Sequence, residues 1–197
     1  MAFETAVLSG RIVRLEPLTA AHVDGLLAAA AASPGAFPWI IGMDTPERQR
    51  AWIENGIAEG ARGVSVPFAT IFQKTGEVIG TSRFSMLSPE NKRAEIGWTW
   101  LGRPWQRTGA NREAKLLMLR QAFEIWKLLR VEFKTDSLNV QSRTALAALG
   151  ATEEGIFRNH MLRPDGSNRH SAYFSILPDE FPAIAARIEA ALPTGEP

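Results

Sequence analysis

The segment from Ala94 to Trp126 constrains the fold most, because it has the pattern of a strand followed directly by a turn and a long helix. Between Ala94 and Leu101 the side chains alternate with a period of two, which predicts a β-strand. The alternation places the following residues together on one face: Ala94, Ile96, Trp98 and Trp100. The sequence therefore predicts a strand with both of its tryptophans on the same side of the sheet.

The turn after this strand has the features of an anion-binding loop. Pro104 ends the strand, and Gly109 allows the backbone to turn tightly. A mostly apolar helix is predicted over about 112–128, and the N–H groups of its first turn lack partners within the helix. Because these N–H groups and the helix dipole favour negative charge, an anion is predicted at the loop Gln106–Asn111. Taken alone, the loop is equally well interpreted as a plain structural turn.

Lys115 is the exception on the apolar side of the predicted helix. We interpret it as a side chain that extends past its apolar neighbours to bring its amine into solvent. The alternative is that it binds a carboxylate or a phosphate near the start of the helix.

The composition is that of one soluble globular domain over residues 1–197. Hydrophobic residues make up 45% and charged residues 22% of the 197 positions, which is ordinary for such a domain. The sequence has no cysteine, so disulfides and a cysteine nucleophile are excluded. Its three histidines are far apart in the chain, and no metal site is predicted.

Charge and hydropathy narrow the functional class. The net charge of +1 argues against a dedicated nucleic-acid-binding protein. Arg103, Arg107 and Arg112 form a locally basic zone that suits a small phosphorylated ligand or a solvated surface. No signal peptide and no run of membrane-spanning length is recognisable, so a cytoplasmic location is expected.

The other segments alternate between strand and helix patterns. Strands are predicted at about 11–15, 66–73, 77–84, 130–136, 152–163 and 167–177, and helices at about 20–32, 45–59, 143–149 and 179–192. The order β-α-α-β-β-β-α-β-α-β-β predicts a mixed α/β sheet with helices on both faces. We assign the core to about 10–177 and a closing helix to about 179–192.

Three groups of residues could contribute to a site. Phe37 and Trp39, in a loop rich in Pro and Gly, either line a pocket or pack against the core. Glu95 lies two residues before Gly97 on the same face, where it could accept a proton from a bound amine. From spacing alone, an ion pair with a neighbouring Arg or Lys is the better interpretation. Asn139 and Ser142, at a helix start, are interpreted structurally as caps.

The loop Gln106–Asn111 resembles the acetyl-CoA pyrophosphate loop of the GNAT acetyltransferase superfamily, Gln/Arg-x-x-Gly-x-Gly/Ala. Five of its six positions fit, and Asn111 departs from the usual small residue. The order of elements also matches that fold up to about Leu177. The resemblance implies a mostly antiparallel sheet that splays between its fourth and fifth strands. It also implies acetyl-CoA binding by the following residues: Trp100, Leu101, Gln106, Arg107, Thr108, Gly109, Ala110, Asn111 and Asn139.

Further residues resemble the ribosomal-protein-alanine N-acetyltransferase branch. They are Leu149-Gly150-Ala151, Glu154-Gly155 and Asn111-Arg112-Glu113-Ala114-Lys115. In that branch the strand glutamate is a general base, which implies this role for Glu95, and the serine equivalent to Ser142 protonates the departing thiolate. Many GNAT enzymes carry a tyrosine acid where this chain has Leu146, so the acid is either Ser142 or solvent.

The resemblance implies direct acetyl transfer from acetyl-CoA to a primary amine, with a protein N-terminal α-amine as the first expected acceptor. The alternatives are a small-molecule amine acceptor, or a non-catalytic protein that binds acyl-CoA. A phosphate-binding or nucleotide-binding protein of another fold is a weaker alternative. Free strand edges at the C-terminal hairpin would permit a homodimer.

Overall fold

The computed structural model describes residues 3–163 and 165–192, and it confirms the mixed α/β class with helices on both faces of one sheet. The strands are β1 (Leu8–Ser9), β2 (Val13–Pro17), β3 (Val66–Phe72), β4 (Val78–Ser88), β5 (Arg93–Leu101), β6 (Arg130–Asp136), β7 (Thr152–Leu162) and β8 (Asn168–Ile176). The helices are α1 (Val23–Ala31), α2 (Pro46–Ala61), α3 (Ala110–Arg120), α4 (Val140–Leu149) and α5 (Phe181–Ala191). The two-residue β1 was not predicted, and α3 continues into one π-helical turn, Gln121–Ile125.

The eight strands lie in the order β1-β2-β3-β4-β5-β6-β8-β7. All neighbours are antiparallel except β5 and β6, which are parallel and pair at only three positions. The last of these joins Glu95 to Glu132. Beyond it the two strands separate, so the sheet opens between the C-terminal halves of β5 and β6. This opening is the splay that the family resemblance implied between the fourth and fifth strands, which are β5 and β6 once the unpredicted β1 is counted.

Two hydrophobic cores lie on opposite faces of the sheet. Helices α3, α4 and α5 cover one core, whose members include Phe84, Met118, Phe133, Leu146, Phe174 and Ile184. Helices α1 and α2 cover the other, whose members include Leu26, Ile53, Ile71 and Trp100. The second core lies beside the opening between β5 and β6, because Trp100 belongs to the part of β5 that has left β6.

The predicted alternation of β5 is wrong at Trp98, because a β-bulge interrupts the strand. Between Gly97 and Trp100, β5 advances three residues while the paired β4 advances two. Trp98 takes up the extra residue with a φ of 49° and is 37% exposed. As a result Ile96 packs in the core under α3, whereas Trp100 packs in the core under α1 and α2. One inserted residue thus exchanges the faces of all side chains after it.

The interpretation of Lys115 as a side chain that reaches solvent is also wrong. Its amine lies between α3 and the sheet, where it donates hydrogen bonds to the hydroxyls of Thr99 (2.5 Å) and Ser82 (3.1 Å). Those two hydroxyls are themselves 2.7 Å apart. Neither of these partners is a carboxylate, so burial of the amine lowers the pKa of Lys115 to about 7.

Glu113, two residues before that lysine, ties α3 to the start of the sheet. Its buried carboxylate accepts hydrogen bonds from the backbone N–H groups of Arg11, Ile12 and Val13, at 2.7–2.8 Å. Gly10 makes room for this contact, since a Cβ there would lie 2.4 Å from the carboxyl carbon. The start of α3 is thereby held in place, and with it the loop that precedes the helix.

Strand β7 forms one edge of the sheet, and its side chains are mostly exposed. Large apolar side chains on it, including Phe157 and Leu162, face solvent. A homodimer formed through this edge stays a prediction. Within residues 3–163 and 165–192, no helix has both the length and the apolar character needed to span a bilayer.

Candidate active site

The loop from Gln106 to Asn111 has the shape of a strand-to-helix anion site. Gly109 adopts a left-handed conformation, with a φ of 96°, and is the N-cap of α3. Two loop side chains hold this shape: Gln106 donates to the carbonyl of Leu101 at 3.1 Å, and Thr108 donates to the carbonyl of Trp105 at 2.8 Å. Because these donors are committed inside the loop, Gln106 and Thr108 can contribute to a ligand chiefly by positioning the backbone.

The loop fits a pyrophosphate on two grounds. The N–H groups in the first turn of α3 have no partners within the helix, and of these the N–H of Ala110 donates to the hydroxyl of Thr108 at 3.4 Å. The basic zone of Arg103, Arg107 and Arg112 is exposed around the loop. Binding of acetyl-CoA by these residues stays a prediction.

The opening between β5 and β6 adds a free backbone edge to the loop. Trp100 and Leu101 were predicted to bind the cofactor, and both side chains are buried in the cores. Only their backbone groups can therefore reach a ligand. Since β6 pairs with β5 only as far as Glu95, the edge of β5 beyond it is open to an extended ligand that bonds like an added strand.

Glu95 is buried at the base of this opening. Its carboxylate occupies the space beside Gly97, where a Cβ would lie 3.3 Å from the Oε1 atom. The amine of Lys134 is 3.4 Å from Oε2. Burial raises the pKa of Glu95, and the charge of Lys134 opposes that shift. The ion pair expected from spacing is thus present, but Glu95 is buried, whereas the spacing indicated a solvated face. The role of Glu95 as a general base stays a prediction.

Sequence reasoning missed the partners of Glu95 on the neighbouring strands. Lys134 lies opposite Tyr173 in the β6–β8 register, with its amine 6.0 Å from the centre of the tyrosine ring. Burial raises the pKa of Tyr173, and the nearby carboxylates of Glu95 and Glu132 raise it further. The alternation of β6 contained the signal, because it places Glu132 and Lys134 on one face, but nothing in it showed which strand would lie alongside.

The structural interpretation as a helix cap is confirmed for Asn139 and is wrong for Ser142, which is the third residue of α4. The Oδ1 atom of Asn139 accepts a hydrogen bond from the N–H of Ser142 at 3.0 Å and caps α4. Leu146, where many GNAT enzymes carry a tyrosine, is buried in the core and supplies no acid. The roles of Asn139 toward the cofactor and of Ser142 as general acid stay predictions.

A cavity of about 900 Å³ lies between the α1–α2 connection and the ends of β6 and β8. Phe37 and Trp39 line it, as one of their two interpretations predicted. Phe37 also packs against Trp100, with ring centres 4.9 Å apart, so for this residue both interpretations hold. The opposite end of the cavity is polar and is formed by Asp136, Arg163 and Arg169.

Comparison with known proteins agrees with this geometry. The model of the Acetyltransferase (GNAT) domain family matches residues 13–152. The crystal structure of a GCN5-related N-acetyltransferase from Brucella melitensis is 34% identical, with a TM-score of 0.87 over 97% of this chain and 87% of that one. The "Uncharacterized N-acetyltransferase p20" of Bacillus licheniformis is 38% identical over 93 residues, which span 47% of this chain and 52% of that protein.

The sheet opens beside a strand-to-helix loop, and the family match covers more than half of the chain. The chain belongs to the GNAT acetyltransferase family. The Ribosomal-protein-S5-alanine Acetyltransferase from Vibrio fischeri, at 17% identity and a TM-score of 0.71 over 90% of this chain and 99% of that one, shares the fold. Assignment to the ribosomal-protein branch stays a prediction.

Proposed function

We propose that the chain transfers an acetyl group from acetyl-CoA to a primary amine while both substrates are bound. The observation that carries the proposal is the opening between β5 and β6, which joins the buried Glu95 to the loop at the start of α3. Membership in the family supports the same activity. A protein of the same fold at 16% identity, Microcin C7 self immunity acetyltransferase MccE, has been solved in complex with acetyl-CoA and AMP.

Acetyl-CoA supplies the acetyl group as a thioester. In the transfer a C–N bond forms, the C–S bond breaks, the amine loses a proton and the leaving thiolate gains one. Glu95 accepts the amine proton directly or through a water, and its raised pKa suits that role. The backbone N–H groups on the free edge of β5 are available to polarise the carbonyl. Ser142 or solvent returns a proton to the thiolate. Because the sequence has no cysteine, the acetyl group is not carried on a cysteine of the enzyme.

The first acceptor that we propose is a protein N-terminal α-amine. Such an amine has a pKa of about 7.7–8.0, whereas a lysine amine is near 10.4, so a carboxylate base suffices to deprotonate it. The alternative is a small-molecule amine, and the cavity favours it by its size, about 900 Å³. We propose that the reaction takes place in the cytoplasm with either acceptor.

The test is calorimetry with acetyl-CoA on the wild type, on Gly109→Trp and on a matched control. Gly76→Trp makes the same change at another glycine of positive φ, 73°, in the turn between β3 and β4, where an added Cβ meets nothing within 4 Å. We expect micromolar binding to the wild type and to the control, and loss of binding in Gly109→Trp. Equal binding to all three proteins would contradict the proposed loop, and no binding to any would contradict acetyl transfer.

The non-catalytic alternative is tested at Glu95. We expect Glu95→Gln to bind acetyl-CoA as the wild type does and to lose about 10²–10⁴-fold in kcat/KM for amine acetylation, measured by thiol release. A protein that only senses acyl-CoA would bind it equally well and would release no thiol with any amine, whether or not Glu95 is changed.

A further inference from the structure

The polar end of the cavity contains one acidic group that is already fully paired. Asp136 is buried, and Arg163 holds both of its carboxylate oxygens, at 3.1 Å to Oδ1 and 2.8 Å to Oδ2. The Nη1 atom of the same guanidinium donates to the carbonyl of Asn168 at 2.6 Å. Arg163 and Asp136 therefore neutralise each other and fix the end of the hairpin between β7 and β8.

Arg169 forms a second, longer ion pair with Asp136. Its Nε atom is buried and has no hydrogen-bond partner in the described part of the chain. Asp136 Oδ2 lies 3.8 Å from it, beyond hydrogen-bond distance. The Nε–H group is therefore a desolvated donor without an acceptor in that part of the chain, on a side chain that is 15% exposed. Such a donor is costly unless a ligand supplies its acceptor.

The lining of the cavity has the same excess of positive charge. Three arginines and two aspartates line it, which leaves one positive charge. Asp44 and Arg48 pair with each other at 2.6 Å on the rim, and Asp136 pairs with Arg163 at 2.8 Å and with Arg169 at 3.8 Å, so the excess positive charge lies at the polar end of the cavity. A cationic acceptor such as a polyamine would be repelled at this end, whereas the apolar remainder of the wall suits an uncharged body.

Strand β6 connects this end to the proposed reaction centre. Glu132 pairs with Glu95 across the sheet, and Asp136 lies four residues further along β6, which is about 13 Å in an extended strand. Lys134 lies between them on the same face and contacts Glu95. Burial raises the pKa of Glu95 and the charge of Arg169 also opposes that rise, so the two side chains are close enough for one short acceptor to reach both.

We propose that the amine acceptor carries a carboxylate, that Arg169 binds this carboxylate at the polar end of the cavity, and that the amine lies near Glu95. This inference rests on the proposed function, because it names the class of the acceptor of that reaction. The carboxylate could be the terminus of a short peptide or metabolite, or an acidic side chain near the N-terminus of a protein. Both sources present the same chemistry to a guanidinium.

The test uses matched peptides titrated calorimetrically into the CoA-loaded protein. Ala-Phe-Gly as the free acid and as its C-terminal amide differ by one charge, and Ala-Phe-Asp-amide carries the charge on a side chain instead. We expect the free acid to bind about 10- to 100-fold more tightly than its amide, as a charge-assisted hydrogen bond would produce. Comparable binding of Ala-Phe-Asp-amide would identify an acidic side chain as an equally good source, and weak binding would restrict the site to a terminal carboxylate.

Two variants assign the effect to Arg169. Arg169→Gln is expected to lower the affinity for the acid to that for the amide, and Arg169→Lys to restore part of it. Arg158→Gln removes an exposed arginine from the same hairpin and should leave the preference intact. Thermal melting checks that each variant is folded.

Each result bears on a separate proposal. Equal affinity for acid and amide, or no binding of any of the three peptides, would overturn the carboxylate site. A preference for the acid that survives in Arg169→Gln would overturn the role of that residue. A preference for the acid in a protein that releases no thiol with acetyl-CoA and any of these amines would support the carboxylate site and overturn acetyl transfer.

Discussion

Replacing Lys115 by methionine is expected to stabilise the protein at neutral pH and to change how its stability depends on pH. Methionine has nearly the length of the lysine side chain and no charge to desolvate. The hydroxyls of Ser82 and Thr99, which lose the amine, are 2.7 Å apart and keep each other as partners. The substitution therefore removes a buried cation without leaving an unpaired polar group behind.

The magnitude follows from the lowered pKa. In the folded protein Lys115 loses its proton near pH 7, whereas in the unfolded chain it does so near its ordinary value of 10.5. Between these values the unfolded chain binds more protons, so the free energy of unfolding of the wild type rises with pH. The full difference corresponds to about 5 kcal/mol, and about 3 kcal/mol of it falls between pH 7 and pH 9.5. The methionine variant lacks this contribution, so its advantage is largest at or below pH 7.

The assay is urea unfolding of the wild type and of Lys115→Met at pH 7 and pH 9.5. Other groups titrate in both proteins and cancel in the difference between them. Lys74→Met, at an exposed lysine in the turn between β3 and β4, is the matched control and should shift by less than about 0.5 kcal/mol at both values of pH. The reasoning would be refuted if the difference in the free energy of unfolding between the wild type and Lys115→Met stayed constant from pH 7 to pH 9.5. A constant difference would mean that the amine is protonated in the folded protein as it is in water.

Three further predictions concern Glu113, Asn139 and the reaction. Glu113→Gln should lower the free energy of unfolding by about 2–3 kcal/mol, because an amide cannot accept all three backbone N–H groups. Glu124→Gln, at an exposed site, is the control and should change little in the same urea titration. Asn139→Ala should lower the free energy of unfolding by about 1 kcal/mol, because the cap of α4 is lost, and Asn139→Asp should keep the stability of the wild type. If Asn139→Asp still loses affinity for acetyl-CoA, Asn139 has a separate role toward the cofactor. Activity of the wild type should rise with pH as Glu95, whose pKa is raised, loses its proton, and this rise should be absent from the residual rate of Glu95→Gln.

The part of the site that could be predicted from the sequence is the part that is local in the chain. The loop Gln106–Asn111 and the helix after it are consecutive, so the turn glycine, the basic zone and the helix start follow from neighbouring residues. The cap of Asn139 is local for the same reason. The opening of the sheet was predicted from the family resemblance and could not be derived from the pattern of β5, since it depends on where β6 stops pairing.

The errors arise where tertiary packing decides. Trp98 interrupts the alternation with a bulge, and no residue type near it specifies that backbone conformation. Lys115 was assigned to solvent because an isolated helix leaves room for its amine, but the sheet closes over that side and offers two hydroxyls instead. In both cases the sequence pattern is correct for the isolated element and wrong for the assembled sheet.

The charged groups around Glu95 could not be predicted from the sequence, and their arrangement has a consequence for the proposed mechanism. Lys134 contacts Glu95 from β6, and Arg169 and Tyr173 come from β8, which lies beside β6 because it inserts between β6 and β7. Lys134 holds the carboxylate of Glu95 at 3.4 Å, so the proposed base has a cation for a partner before the acceptor binds. An incoming ammonium group would compete with Lys134 for the same oxygen. Because a carboxylate on the acceptor would be attracted to the cations on this face, binding the acceptor by its acidic end would bring its amine to Glu95 with the charges of the site already balanced.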